Sequence, residues 1–129
     1  MYVFGVIIPA PFDQALERVK EAFTAEKLGI VSDVDVGAIL RNKLGEDIGG
    51  YRILGACAPA LAKRVIDAQA AAGVLLPCNV VIRGIDIEST AVDFMNPVEV
   101  LAMAKVPEID QVAKEAEAVL MRVRDRLAG

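Results

Sequence analysis

The chain has 129 residues, a formal net charge of −4 at pH 7, two cysteines, and neither histidine nor tryptophan. That length suits one domain, residues 1–129, able to bury a core without covalent staples. The acidic balance, with no basic run longer than two residues, argues against nucleic acid as a partner, which needs clustered cations. The missing histidine removes the commonest general base and metal ligand.

Residues 2–8 are predicted as a strand of β-branched and aromatic side chains. Pro9 and Pro11 end it and open a helix over residues 12–27. Ala15, Leu16, Val19, Ala22 and Phe23 recur there at helical spacing, and Gly29 fits the position just past its end. Residues 30–36 alternate as a strand with one wetter face. Asp33 and Asp35 point the same way along it, suited to gripping a cation, to a solvated face or to capping a nearby helix. Val36–Leu44 is predicted as a short amphipathic helix with Val36, Ile39 and Leu40 inward, closed by Gly45. After the flexible Gly49-Gly50 corner, Tyr51–Cys57 is the third strand. Pro59 suits the first residue of a helix running to Ala70, with Leu61, Val65 and Ile66 on one face.

Residues 74–83 are predicted as the fourth strand and Ser89–Met95 as the fifth, joined as a hairpin. Asn96-Pro97 stops the fifth strand, and residues 98–104 form one or two helical turns. Pro107 starts a last helix of about 20 residues. Glu108 and Asp110 lie in its first turn, and Arg122, Arg124 and Arg126 near its end, as the helix dipole prefers. Ile109, Val112, Ala116, Val119, Leu120, Val123 and Leu127 make one apolar stripe along it.

The element order gives an α+β fold: strand–helix–four strands–helix, a mostly antiparallel sheet with two long helices on one face and small inserted helices. A parallel sheet of βαβ units is the alternative. The hydrophobic fraction is 55% and the mean hydropathy +0.46. This surplus needs a membrane, a thorough core or a partner. No run nears the ~18 apolar residues of a spanning helix. The apolar start lacks the basic flank of a secretory signal. The expectation is therefore a cytoplasmic homodimer with no membrane partner.

Four segments carry a resemblance: residues 29–36; Tyr51-Arg52-Ile53-Leu54-Gly55-Ala56-Cys57-Ala58-Pro59; Leu75-Leu76-Pro77-Cys78-Asn79-Val80-Val81; and Asn96-Pro97. Through them the chain resembles the uncharacterised bacterial and archaeal family called domain of unknown function 302, over nearly its whole length. Asn96 departs from the aspartate expected before that proline. The resemblance implies a TATA-binding-protein-like α+β fold, often dimeric, with no established activity. Sharing a fold with a DNA binder does not carry DNA binding across.

The candidate ligand-binding residues are Cys57, Pro59, Cys78 and Asn79, in a cleft between sheet and long helix or at a dimer seam. If Pro59 opens a helix, Cys57 lies just outside its N-terminus, where a thiolate is favoured. If the third and fourth strands are neighbours, the two sulfurs can meet as a dithiol pair or as part of a soft-metal site shared across a dimer. The plainer reading is that both pack as small hydrophobes. Asn79 can contact a ligand or satisfy a strand end. Arg52 can bind an anion or pair with Asp33 or Asp35. Gly55, mid-strand, suggests a bulge or a close backbone approach. No phosphate loop, nucleophile elbow or dinucleotide fingerprint is present. The expected function is small-ligand binding without established catalysis and with no cofactor identified. Thiol redox or soft-metal handling through Cys57 and Cys78, and a regulatory or scaffold role, are the alternatives.

Overall fold

The computed structural model describes residues 1–129. Five strands form one sheet: β1 (Val3–Ile8), β2 (Gly29–Asp35), β3 (Tyr51–Cys57), β4 (Cys78–Asp86) and β5 (Ser89–Met95). Their order is β1-β5-β4-β3-β2, and every pairing is antiparallel, so the fold is α+β and the parallel alternative falls. The helices are α1 (Phe12–Ala25), α2 (Val36–Leu44), α3 (Pro59–Ala68), α4 (Pro97–Leu101) and α5 (Pro107–Ala128), with 3-10 turns at Ala70–Leu75 and Ala102–Ala104. β1 and β2 are opposite edges of the sheet, so the chain through α1 must cross its full width.

The helix-facing side of the sheet is read directly from strand alternation. Leu54, Ala56, Cys78, Val80, Ile82, Val92 and Phe94 all point that way and merge with the buried faces of α1 and α5 into the main core. Phe4 stacks on Phe94 with ring centroids 5.2 Å apart. A second, smaller core lies beyond the sheet, where α3, α4 and the first half of α5 meet around Val65, Leu101, Ile109 and Val112. α5 spans both: Ile109 and Val112 serve the small core, Leu120, Val123 and Leu127 the main one. At 22 residues it is long enough, ~33 Å, to do so unbroken.

Several boundaries differ from expectation for local reasons. The fourth strand starts at Cys78, and Ala70–Leu75 is a 3-10 turn instead. Pro77, joined to Leu76 by a cis bond, has no N–H to give a ladder, so pairing begins one residue later. Gly29 is the first residue of β2 rather than the helix stop. Lys27, at φ 59°, takes the left-handed position, and the Leu28 amide donates back to the Phe23 carbonyl at 2.9 Å. α2 keeps its limits and its left-handed Gly45, but it does not turn Ile39 inward. Ile39 is 47% exposed, and the buried residue is Gly37, whose added Cβ would lie 2.7 Å from the Gly49 carbonyl oxygen. β2 has no wetter and drier face, because as an edge strand it buries no residue fully. Ile66, expected on the inner face of α3, is 47% exposed.

The charged residues act locally. Arg52 reaches Asp33 with two bonds of 2.9 and 2.6 Å and Asp35 at 3.5 Å, while Asp35 also accepts from the Ala38 amide to cap α2. The hydrogen bonds from Arg52 hold the Asp33 carboxyl below its usual range. At the other end of the molecule Glu26, just after α1, accepts from Arg122 at 2.8 Å and Arg126 at 2.6 Å, both on α5. Arg124 lies over the Phe4 ring, 5.6 Å from its centroid. The three arginines are therefore ties to α1 and β1 as well as dipole partners.

We predict that Glu26→Gln lowers the melting temperature at pH 7. The hydrogen bonds from Arg122 and then Arg126 depress the Glu26 pKa below its ordinary 4.5. The stabilisation is thus complete above the unfolded value and is lost as pH falls through the folded one. The gap between wild type and variant should close in thermal melts taken at successively lower pH below 4.5. Asn96 accepts from the Val98 amide at 3.0 Å and caps α4. Asn96→Ala should cost about 1 kcal/mol in urea melts, and Asn96→Asp much less.

Candidate functional site

β3 and β4 both terminate where the two cores meet, and the space there is incompletely filled. α3 leaves β3 after a single residue, Ala58, with Pro59 as its first helical residue. α5 crosses above. The side chains facing one another across this gap are short: Ala56, Ala58, Ala62 and Ala116. They leave a cavity of about 40 Å³ within a wider envelope of about 500 Å³ that is open to solvent. Of its 15 lining residues, 14 are hydrophobic. The apolar stripe of α5 runs through this region, and its middle members Ala116 and Val119 are only half-buried because they face the gap.

Cys57 and Cys78 both line this cavity. Antiparallel pairing of β3 with β4 sets Ala56 opposite Cys78, which brings Cys57 into the adjacent position. Both are free thiols. Cys78 is buried among apolar side chains, and this desolvation, aided by the neighbouring Cys57, pushes its pKa from 9.0 up to about 11. It is a thiol at neutral pH and a poor nucleophile. Cys57 is half-buried and sits one residue before the N-cap Ala58 of α3.

Pro59 and Asn79 are not part of this lining. Pro59 is exposed at the start of α3, and Asn79 is exposed on the opposite sheet face from Cys78, as alternation along β4 requires. Asn79 pairs with Gly55. A Cβ on Gly55 would lie 2.6 Å from Pro77 Cγ and closer still to Ser32 Oγ, so Gly55 is a close-approach glycine that lets Pro77 fold over the sheet. The bulge in this region lies across the ladder in β2, between Ile30 and Ser32. Leu61, Val65, Pro77 and Val112 line the cavity without being foreseen as site residues. The available signal was the concentration of alanines on segments meant to pack together. No three His, Cys, Asp or Glu side chains gather closely enough to hold a metal ion, and no helix is long and apolar enough to cross a membrane.

Residues 4–127 match the sequence model of the family described as "Domain of unknown function DUF302". The fold is similar to the crystal structure of an uncharacterized conserved DUF302 protein from Bacillus stearothermophilus. The TM-score is 0.87 and the identity 26%, covering 98% of each chain. No curated protein matches the sequence.

The Cys78 shift sets a pH dependence. Its folded pKa of about 11 lies above the unfolded value near 9.0, so between them the unfolded chain binds fewer protons and stability falls as pH rises. Below that window the Cys78 contribution is flat. The loss should reach about 2–3 kcal/mol by pH 11. Cys78→Ala should remove this component, read as the difference between urea-melt stabilities of wild type and variant at pH 8 and at pH 11.

Proposed function

The chain belongs to the DUF302 family, and we propose that it is a small-ligand-binding module, cytoplasmic and homodimeric, without established catalysis. The ligand presents an apolar group that enters between α3, α5 and the ends of β3 and β4. The observation that carries this reading is the cavity wall, 14 hydrophobic residues of 15 around an opening to solvent. An unoccupied apolar void costs stability in proportion to its size. One lined by four alanines and reached from outside is a receptor for a hydrocarbon edge. The enclosed space of about 40 Å³ is smaller than the ~150 Å³ that houses a benzene ring. The group seated there is accordingly a short alkyl chain or the tip of a longer ligand whose polar remainder stays in the open envelope. The wall contributes no carboxylate, which is why no acid–base chemistry is assigned.

The test is thermal melting with a series of n-alkanols from ethanol to hexanol, beside Ala116→Phe and Ala62→Phe, which fill the void. Wild type should show a stabilisation that climbs with the logarithm of alkanol concentration above Kd, reaching about 2.7 kcal/mol at a hundredfold excess, and that is larger for longer chains at one fixed concentration. The filled variants should lose it. Equal responses in wild type and both variants, or none in wild type, would refute the reading.

A second reading, thiol redox through Cys57 and Cys78, is favoured by both sulfurs lining one cavity and opposed by the raised Cys78 pKa. Treatment of the native protein with diamide decides it. Loss of two titratable thiols, both recovered with dithiothreitol, supports a reversible pair; retention of both removes it.

A further inference from the structure

The cavity beneath α3 and α5 lies at the ends of β3 and β4 that carry the cysteines. At the opposite ends of the same strands is a second cleft, of about 440 Å³, a size common among small-molecule sites. The start of α1, the corner before β3 and the β4–β5 hairpin enclose it. The Phe12 ring packs on the Gly50 backbone, where an added Cβ would meet it at 2.5 Å. The Gly84 amide donates to the Gly50 carbonyl at 2.9 Å and ties the hairpin to the corner. The Asp47 carboxylate accepts from the Gly49 amide at 2.8 Å and holds the corner itself. The walls are therefore set before anything binds.

Two features of this cleft run against ordinary surface chemistry. The hairpin turns between Asp86 and Ser89, which pair, so its tip is Ile87-Glu88, where glycine, asparagine or aspartate is the usual choice. Ile87 is 86% exposed there, and Ile48 and Ile85 are half exposed beside it. The second feature is charge. Asp13 and Asp86 line the cleft, and Asp47 and Glu88 adjoin its lining in sequence. None of these four carboxylates forms an ion pair, and no basic residue lines the cleft. The arginines of β3 and β4 are committed elsewhere, Arg52 to Asp33 and Asp35 and Arg83 to Asp93. Asp13 acts on Arg52 only as the weakest of three carboxylates. The Glu88 amide, then the Ser89 hydroxyl, hold Asp86 below its ordinary 3.8, so it is charged at neutral pH.

We propose that this cleft binds an aliphatic diamine or polyamine, with its methylenes against Phe12 and the isoleucines and an ammonium group at each of Asp13 and Asp86. A plain hydrocarbon would desolvate two carboxylates without giving them a partner. A bare metal ion would gain nothing from three isoleucines and a phenyl ring. A methylene chain with a cation at each end answers both parts of the lining, and the net charge of −4 favours its approach. The site is separate from the cavity beneath α3 and α5 and does not depend on what that cavity holds.

The experiment is isothermal titration calorimetry of the full chain at low ionic strength with putrescine, spermidine, butylamine and magnesium chloride. Circular dichroism melts confirm that each variant folds. Wild type should bind putrescine about fivefold more tightly than butylamine, the worth of one further ion pair at the upper end for exposed pairs. Asp13→Asn and Asp86→Asn should each remove that preference; the second keeps an acceptor for the Glu88 amide. Ile87→Lys, at the exposed tip, should weaken putrescine about tenfold by removing apolar contact and adding like charge. Glu21→Gln removes the same unit of charge from α1 outside the cleft and should bind as wild type does. A diamine preference lost in both asparagine variants and kept in Glu21→Gln supports the proposal. Absence of putrescine binding, equal affinity for butylamine, displacement by equimolar magnesium, or an equal loss in Glu21→Gln overturns it.

Discussion

The structure depends on one helix serving two cores. The sheet is covered on one side only, and α1 alone is too short to roof five strands. α5 supplies the rest with its second half and organises α3 and α4 with its first. Its apolar stripe is continuous in sequence, but the residues it meets change along its length. Large side chains oppose it at both ends, and alanines oppose it in the middle. The cavity is thus a geometric result of joining two packing units through one rod, at the place where neither unit reaches fully.

That constraint explains why both sulfurs share one wall. β3 and β4 are neighbours whose ends must stop where α3 departs and where Pro77 arrives. A cysteine at each end is therefore brought to the junction by the ladder itself. Burial then fixes the chemistry available. A thiol held at a pKa of about 11 behaves at neutral pH as an apolar side chain of modest size, which favours a binding wall over a reactive centre.

Much of this was legible in the sequence, for identifiable reasons. Strands β3 and β5 and the start of α3 followed from β-branched runs bounded by Pro59 and Pro97, and the stripe of α5 from simple periodicity. The pairing of Arg52 with Asp33 and Asp35 followed from two carboxylates on one side of a strand. What failed was set by tertiary context. The apolar run before Pro77 reads equally as strand or turn, and only the absent proline N–H settles where the ladder begins. The inward face expected of α2 never forms, because the helix lies at the sheet edge with nothing above Ile39. The cysteines were legible as a pair, whereas Asn79 was not separable from Cys78 until alternation was tied to a register. The rest of the cavity wall was hidden because alanine carries no chemical signature; its contribution is the volume it does not occupy.

The covering of β1 by α5 also bears on how the molecule is made. All five strands are synthesised before the helix that roofs the first of them, and β1 must wait for β5, some 90 residues later, before it gains a sheet neighbour. The sheet therefore cannot be roofed until the 22 residues of α5 have been added behind it. The order of synthesis and the order of burial are thus opposed: the strand made first is among the last to be covered.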